Sequence, residues 1–175
     1  MSHELVINGI FITYPVIAVS QDQTTGAPIV DRFIISNVAK YIVAVNGLDQ
    51  HSEDLTNGGK TTVHFTTESG MRPIISEATP EQIVEMVRIA TDFCPIEIAV
   101  VSMSEDEGTK EKKVKRFTGY VDAGQVVGVN NLSEDTPQFT EDVKSIIYFK
   151  PECGLRPTFS TETAQVIMDK VNEYM

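Results

Sequence analysis

One stretch of this chain occurs twice, and the repetition limits the folds that the sequence can adopt. Residues 60–87, KTTVHFTTESGMRPIISEATPEQIVEMV, return 84 positions later at 144–171 as KSIIYFKPECGLRPTFSTETAQVIMDKV. At this offset the match extends without a gap over 12–91 and 96–175, with about 24 identities in 80 aligned pairs, where about 5 are expected by chance. Self-similarity at a fixed spacing of this kind indicates a duplicated unit.

The repeat predicts two modules of the same kind. We place the first at 1–91 and the second at 96–175, with a short linker at 92–95. Runs rich in Val and Ile predict about five strands in each module, and one helix follows them. The predicted fold class is therefore α+β: two homologous β-rich modules of antiparallel strands, each closed by a C-terminal helix, in a pseudo-symmetric tandem duplication.

A proline in the first strand run predicts the place of that strand in the sheet. Residues 5–19, LVINGIFITYPVIAV, suit two strands that meet near Asn8-Gly9 or one long bent strand. Because Pro15 has no N–H for a ladder hydrogen bond, we expect this strand to lie at a sheet edge or to bulge there.

The helix of each module has a recognisable start. In the first module, Thr79, Pro80 and Gln82 form the pattern of a capping box with proline at the first helical position. In the second module we expect Ser160 or Thr161 to be the N-cap. Apolar residues at helical spacing follow in both and predict a face that packs on the sheet.

Two acidic segments, GLDQHSEDLTNGG and NLSEDTPQFTEDV, lie between the third and fourth strands of the modules. Loops of this length are uncommon without a function or some structure of their own, so we expect variable function there. Their carboxylates do not follow the order of a calcium-binding EF-hand loop, and we predict no metal site. These carboxylates belong to Asp49, Glu53, Asp54, Glu134, Asp135, Glu141 and Asp142.

The net charge of −11 bears on the partners of the protein. Nucleic-acid-binding proteins usually carry a basic face, so we expect no direct nucleic-acid binding. The one basic cluster, at 110–116, also contains Glu111 and follows three acidic residues, which is typical of a solvated hairpin tip. No apolar run is long enough to span a membrane and the N-terminus lacks a signal-peptide pattern, so the expected location is cytoplasmic, or the virion if a phage encodes the protein.

Residues with catalytic or cofactor-binding potential form no known motif. Phosphate-binding loops, nucleophile elbows and zinc-type spacings are absent, so we predict no enzyme activity and no cofactor. His64 aligns with Tyr148, which favours a half-buried ring over a base. Cys94 and Cys153 are expected to be free, partly buried thiols.

The duplicated polar residues around one turn are the candidate binding site. Arg72 and Arg156 each follow a glutamate by four residues, Glu68 and Glu152. Either each arginine braces its own turn, or the two arginines line a groove that receives an anion, a nucleotide or an acidic segment of a partner. Strand-end residues Asn46 and Asn130 would join such a groove or cap a turn.

Duplication without catalytic residues favours a non-enzymatic binding or assembly protein, and edge strands together with pseudo-symmetry favour a homo-oligomer. The order of strands followed by a TPEQIVEMV-like capped helix resembles, in general pattern, several families of short bacterial and phage proteins, and a phage structural or accessory protein fits that description. Two alternatives stay open: an acidic inhibitor or decoy of a nucleic-acid-binding host protein, and a small-anion or nucleotide binder that uses the duplicated arginines.

Overall fold

The structure of the protein is a computed structural model, which describes residues 5–133 and 142–175. The described chain is mostly antiparallel β-sheet with three α-helices, one of them near the C-terminus. The predicted α+β class is confirmed at this level. No helix in the described ranges has the length and apolar character that a bilayer crossing requires.

Eleven strands and three helices make up the described chain. In chain order they are β1 (Val6–Asn8), β2 (Phe11–Gln21), β3 (Pro28–Val38), β4 (Ile42–Gly47), α1 (Gln50–Thr56), β5 (Thr61–Phe65), β6 (Ile74–Ser76), α2 (Pro80–Ala90), β7 (Pro95–Glu105), β8 (Lys112–Asp122), β9 (Val126–Asn131), β10 (Ser145–Phe149), β11 (Thr158–Ser160) and α3 (Ala164–Asn172). Short 3₁₀ turns precede β4 and β9 and follow β5 and β10.

All the strands belong to one sheet with the order β1-β2-β6-β5-β4-β8-β7-β11-β10-β9, and β3 pairs with the other side of β2. Every pairing is antiparallel. The contact between β4 and β8 joins the N-terminal strands to the C-terminal strands, with Ala44 opposite Val121 and Asn46 opposite Gly119. The linker at 92–95 therefore does not separate two independent sheets.

Two hydrophobic clusters form the core, one on each side of the β4–β8 junction. The first lies under α2, where Ile83 and Val87 are fully buried against β2, β4 and β5. The second lies under α3, where Ile167 is fully buried. Strand β4 contributes to both clusters, because Val45 packs in the first and Ala44 packs in the second. This division places β4 between the two cores.

The expectation that the strand with Pro15 lies at a sheet edge is wrong. Strand β2 is internal, with β3 along one side and β1 and β6 along the other. Pro15 is tolerated there because it falls between the residues that pair with β1 and those that pair with β6. The residues before it do form two strands, β1 and β2, which meet at Gly9 with a positive φ of 61°.

Two further local expectations concern the acidic segments and the N-cap of α3. The acidic segment after β4 contains α1, which begins at the N-cap Asp49 and ends at Asn57 in the left-handed conformation. The corresponding segment of the second half, with Glu134, Asp135 and Glu141, lies outside the described residues. The predicted N-cap of α3 is wrong by two or three residues: Thr163 caps the helix, while the Ser160 hydroxyl donates to the Ala99 carbonyl.

Candidate functional site

The main candidate binding site is a cavity of about 470 Å³ on the β4–β8 junction. Its walls come from β4, β7, β8 and β11 and from the turn that precedes β11. Most of the lining side chains are apolar, and the polar groups are few. Apolar Ala44, Phe117 and Val121 lie beside the polar side chains of Asn46 and Arg156 in this lining.

The β4–β8 pairing determines where Asn46 lies in this cavity. Asn46 is opposite Gly119 in β8, and a Cβ at Gly119 would lie only 2.6 Å from Asn46 Oδ1. The glycine therefore leaves the room that the asparagine amide occupies. The amide nitrogen of Asn46 also lies 3.2 Å from Nε2 of His64 in the neighbouring strand β5. Because an amide N–H can only donate, the ring nitrogen is the acceptor.

The acceptor role of His64 agrees with its surroundings. The ring is partly buried, and burial lowers the pKa of His64 below its ordinary value because the charged form loses hydration. The neutral ring keeps an unprotonated nitrogen that accepts from Asn46. This confirms a half-buried ring at His64, and the ring serves to orient the asparagine of the cavity.

Arg156 lies in the turn after β10, at the outer part of the same cavity. A 3₁₀ turn, Pro151–Cys153, ends at Gly154 with a φ of 77°, and Arg156 and Pro157 follow. The Arg156 side chain is exposed, and it has no ion pair among the residues that the structure describes. Its guanidinium is therefore available to a ligand in the cavity.

The structure brings together only part of the residue set predicted from the sequence. Asn46 and Arg156 share the cavity, whereas Arg72, Glu68, Glu152 and Asn130 are exposed and lie outside its lining. The turns at 67–69 and 151–153 contact each other. Across the described ranges, neither arginine forms an ion pair with the glutamate of its own turn, so that bracing interaction is not observed.

A smaller cavity of about 250 Å³ lies next to the first and shares Asn46 and Phe117 with it. It is bordered by Ser52 of α1 and by Lys115, whose ammonium donates to the Ser52 hydroxyl at 3.3 Å. Lys115 belongs to the basic cluster that the sequence places at a hairpin tip. In the structure it lies beside the junction and adds a second cation to this surface.

Two other arginines have roles that the site prediction did not include. Arg32 pairs with Glu77 at 2.6 Å and donates to the carbonyl of Asn57, the C-cap of α1. Arg116 forms two hydrogen bonds of 2.9 Å with Asp142. Arg32 therefore connects the β2–β3 hairpin to the segment after β4, and Arg116 connects the β7–β8 hairpin to the segment after β9. The signal was present in the sequence, because Arg32 and Arg116 occupy matching positions of the repeat.

The lining of the main cavity, taken from the described part of the chain, contains no His, Cys, Asp or Glu. Over residues 5–133 and 142–175, no group of three His, Cys, Asp or Glu side chains is placed to hold a metal ion. Cys153 is buried beside this region, and burial raises the pKa of its thiol, which favours the unreactive protonated form.

Comparisons with known proteins add no family to this description. Neither the family models, nor the curated proteins, nor the solved structures contain a match to this chain. The class that fold and site define is a protein with one antiparallel sheet, an apolar cavity on its central junction and an exposed arginine at that cavity.

Proposed function

We propose that this protein is a non-enzymatic assembly protein, a homo-oligomeric scaffold that evolved by tandem duplication of one β-rich module. The observation that carries the proposal is the repetition of strand pairings along the chain. Val16 is opposite Ser76 between β2 and β6, and Val100 is opposite Ser160 between β7 and β11. These two pairs are related by the 84-residue offset of the sequence repeat.

The other pairings repeat in the same way. The β2–β3 and β7–β8 hairpins each pair 11 residues with 11 in the same register, and the helices α2 and α3 begin at matching positions. The β4–β5 pair has an irregularity near Ile42 and Ala44, and the β9–β10 pair has one near Tyr148 and Phe149, at the matching place. Independent origins would not be expected to reproduce a local irregularity.

The way the two halves join supports assembly as the function. Strand β4 of the first half pairs with β8 of the second half, and these strands do not occupy matching positions in the repeat. A module of this kind has two different edges that fit each other, so association between modules is a property of the unit itself. The lack of His, Cys, Asp and Glu in the described lining of the main cavity also favours a scaffold over an enzyme. A structural or accessory component of a phage particle would fit this proposal.

Native mass spectrometry of the purified protein, with light scattering over a wide dilution series, tests the proposal. We expect homo-oligomers, with one subunit number if the assembly is closed and a series of increasing subunit numbers if it is open. A protein that stays monomeric at every concentration would contradict the assembly function.

A second candidate function, binding of a small anion with an apolar body, is favoured by the cavity that contains Arg156 and Asn46. A guanidinium and an amide at an apolar cavity suit a carboxylate or sulfonate attached to a ring. Fluorescence titration with anilinonaphthalene sulfonate is a suitable probe. We expect Arg156→Ala to weaken binding about tenfold, whereas Arg72→Ala, an exposed arginine in the matching turn outside the cavity lining, serves as the control. Equal affinity of both variants for the probe would exclude this candidate.

A further inference from the structure

Strands β3 and β9 lack the partner that the strands at matching positions have. Strand β8 matches β3 and pairs with both β7 and β4, but β3 pairs only with β2 among the described residues. Strand β4 matches β9 and pairs with both β5 and β8, but β9 pairs in the described chain only with β10. Each end of the sheet therefore presents the backbone donors and acceptors of an open edge.

Two apolar side chains at these edges are more exposed than their counterparts at the junction. Val43 in β4 is 1% exposed, and the matching Val127 in β9 is 60% exposed. Phe117 in β8 is partly buried at the junction, and the matching Phe33 in β3 is 48% exposed. Exposed apolar side chains on a long open edge favour pairing with another strand. The two open strands, β9 and β3, match in the repeat the two strands that pair at the junction, β4 and β8.

We propose that β9 of one molecule pairs antiparallel with β3 of a second copy of this chain, in the register of the β4–β8 pair. Val129 then lies opposite Ser36 as Val45 lies opposite Tyr120, and Gly128 lies opposite Asn37 as Ala44 lies opposite Val121. The inference rests on the proposed assembly function and identifies its interface. The occupant of each edge is a second copy because the chain already contains this contact once, between its own halves.

The pairing is head to tail, and its geometry has a consequence for the shape of the assembly. The two edges are different surfaces, so each molecule that joins leaves one β3 and one β9 free. Repeated addition produces a ring when the rotation between neighbours closes and a helical filament when it does not. Within either assembly, junctions inside the molecules alternate with junctions between them.

One position differs between the two junctions. Asn46 fits against Gly119 because glycine has no Cβ, whereas the matching Asn130 would face Ile35. The amide of Asn130 therefore turns away from the β3 strand of the second copy, which its exposed position in β9 allows. The backbone pairing does not depend on this side chain.

Disulfide trapping between molecules tests the register directly. Both native cysteines, Cys94 and Cys153, are first replaced by serine. One preparation then carries Ser36→Cys and another carries Val129→Cys, and each is oxidised alone and after mixing. We expect a covalent dimer in the mixture and little in either preparation alone. A dimer that forms from the Ser36→Cys protein by itself, or no dimer in a mixture that light scattering shows to be oligomeric, would overturn the head-to-tail pairing.

An edge substitution separates this inference from the broader proposal. Val127→Asp places a carboxylate on the outer face of β9 and is expected to raise the dissociation constant of the oligomer at least about tenfold. Val166→Asp is the matched control, because Val166 is also exposed, at 42%, but lies on α3. An oligomer that both variants leave intact would overturn the β9–β3 interface while the assembly function stands. A parent protein that is always monomeric would overturn both.

Discussion

Gly154 and Gly70 end matching 3₁₀ turns, but their surroundings differ. Both have a positive φ, 77° and 69°, in which a residue with a side chain is strained. No atom lies within 4 Å of a Cβ built at Gly70, whereas a Cβ at Gly154 would lie 2.6 Å from Thr67 Oγ1. Gly154 therefore permits the contact between the two repeated turns as well as its own conformation.

We predict that Gly154→Ala destabilises the protein more than Gly70→Ala does. Each substitution incurs the left-handed strain of about 1–2 kcal/mol, and Gly154→Ala must also displace the Thr67 side chain, for about 0.5–1.5 kcal/mol more. Urea denaturation measures the difference in free energy of unfolding. The excess should disappear in a Thr67→Ala background, and an excess that persists there would show that the turn contact is not its cause.

His64 gives folding a pH dependence whose sign follows from its burial. Burial lowers its pKa in the folded state, so the unfolded chain takes up a proton first as the pH falls through about 6.5. The stability due to the neutral ring is complete above that pH and is lost progressively below it. We expect His64→Gln, which cannot titrate, to reduce the fall in unfolding free energy between about pH 7.5 and about pH 5.5. Identical pH profiles for the parent and His64→Gln would contradict this account.

Strands β2 and β7 match each other in the repeat but differ at one backbone N–H group, which β7 has and β2 lacks. In β7 the Ala99 N–H donates to the carboxylate of Glu162 at 3.0 Å, and that carboxylate also pairs with Lys170 at 2.5 Å. In β2 the matching residue is Pro15, which has no N–H, and Ala78 stands where Glu162 would be. The first half therefore lacks the backbone donor at this position, whereas the second half keeps the donor and supplies Glu162 as its acceptor.

This comparison predicts a non-additive pair of substitutions. Glu162→Ala leaves the Ala99 N–H without its acceptor and should cost about 1–3 kcal/mol of folding free energy, whereas Lys170 still donates to the Glu97 carbonyl. Ala99→Pro should recover part of this loss in the Glu162→Ala background, because it removes the orphaned donor as Pro15 does. The readout is the double-mutant cycle from chemical denaturation. Simple addition of the two costs would show that the Ala99–Glu162 hydrogen bond is not the reason.

Local patterns predicted the elements well but not their arrangement. The Thr79 capping box is present as expected, since it depends only on neighbouring residues. Helix α1 was missed because its start, Asp49, lies in a polar segment without an apolar stripe. The edge position expected for Pro15 was wrong because a missing N–H is also tolerated where two partner strands meet. The proximity of Asn46 and Arg156 depends on the β4–β8 pairing, which brings together residues distant in sequence and has no local signal.

In the molecule as a whole, the β4–β8 junction joins the two halves into one continuous sheet. A single sheet crosses the junction, and β4 sends Val45 into one core and Val43 and Ala44 into the other. Loss of packing on either side should therefore weaken both halves together. Strand β9 matches β4 in the repeat, but Val127 is exposed where Val43 is buried, so comparing the two positions measures what the junction contributes to stability.

The contribution of the junction to stability can be measured by comparing Val43→Ala with Val127→Ala. Both remove the same methyl groups from matching strand positions, but Val43 is 1% exposed and Val127 is 60% exposed. At concentrations where the protein is monomeric, we expect Val43→Ala to cost about 1–3 kcal/mol and Val127→Ala to stay within about 0.5 kcal/mol of the parent. Raising the concentration until molecules associate should give Val127→Ala a cost of its own, because its side chain is then covered. Equal costs in the monomer would mean that the junction does not stabilise the fold, and a Val127→Ala protein that assembles like the parent would mean that this face of β9 is not covered in the assembly.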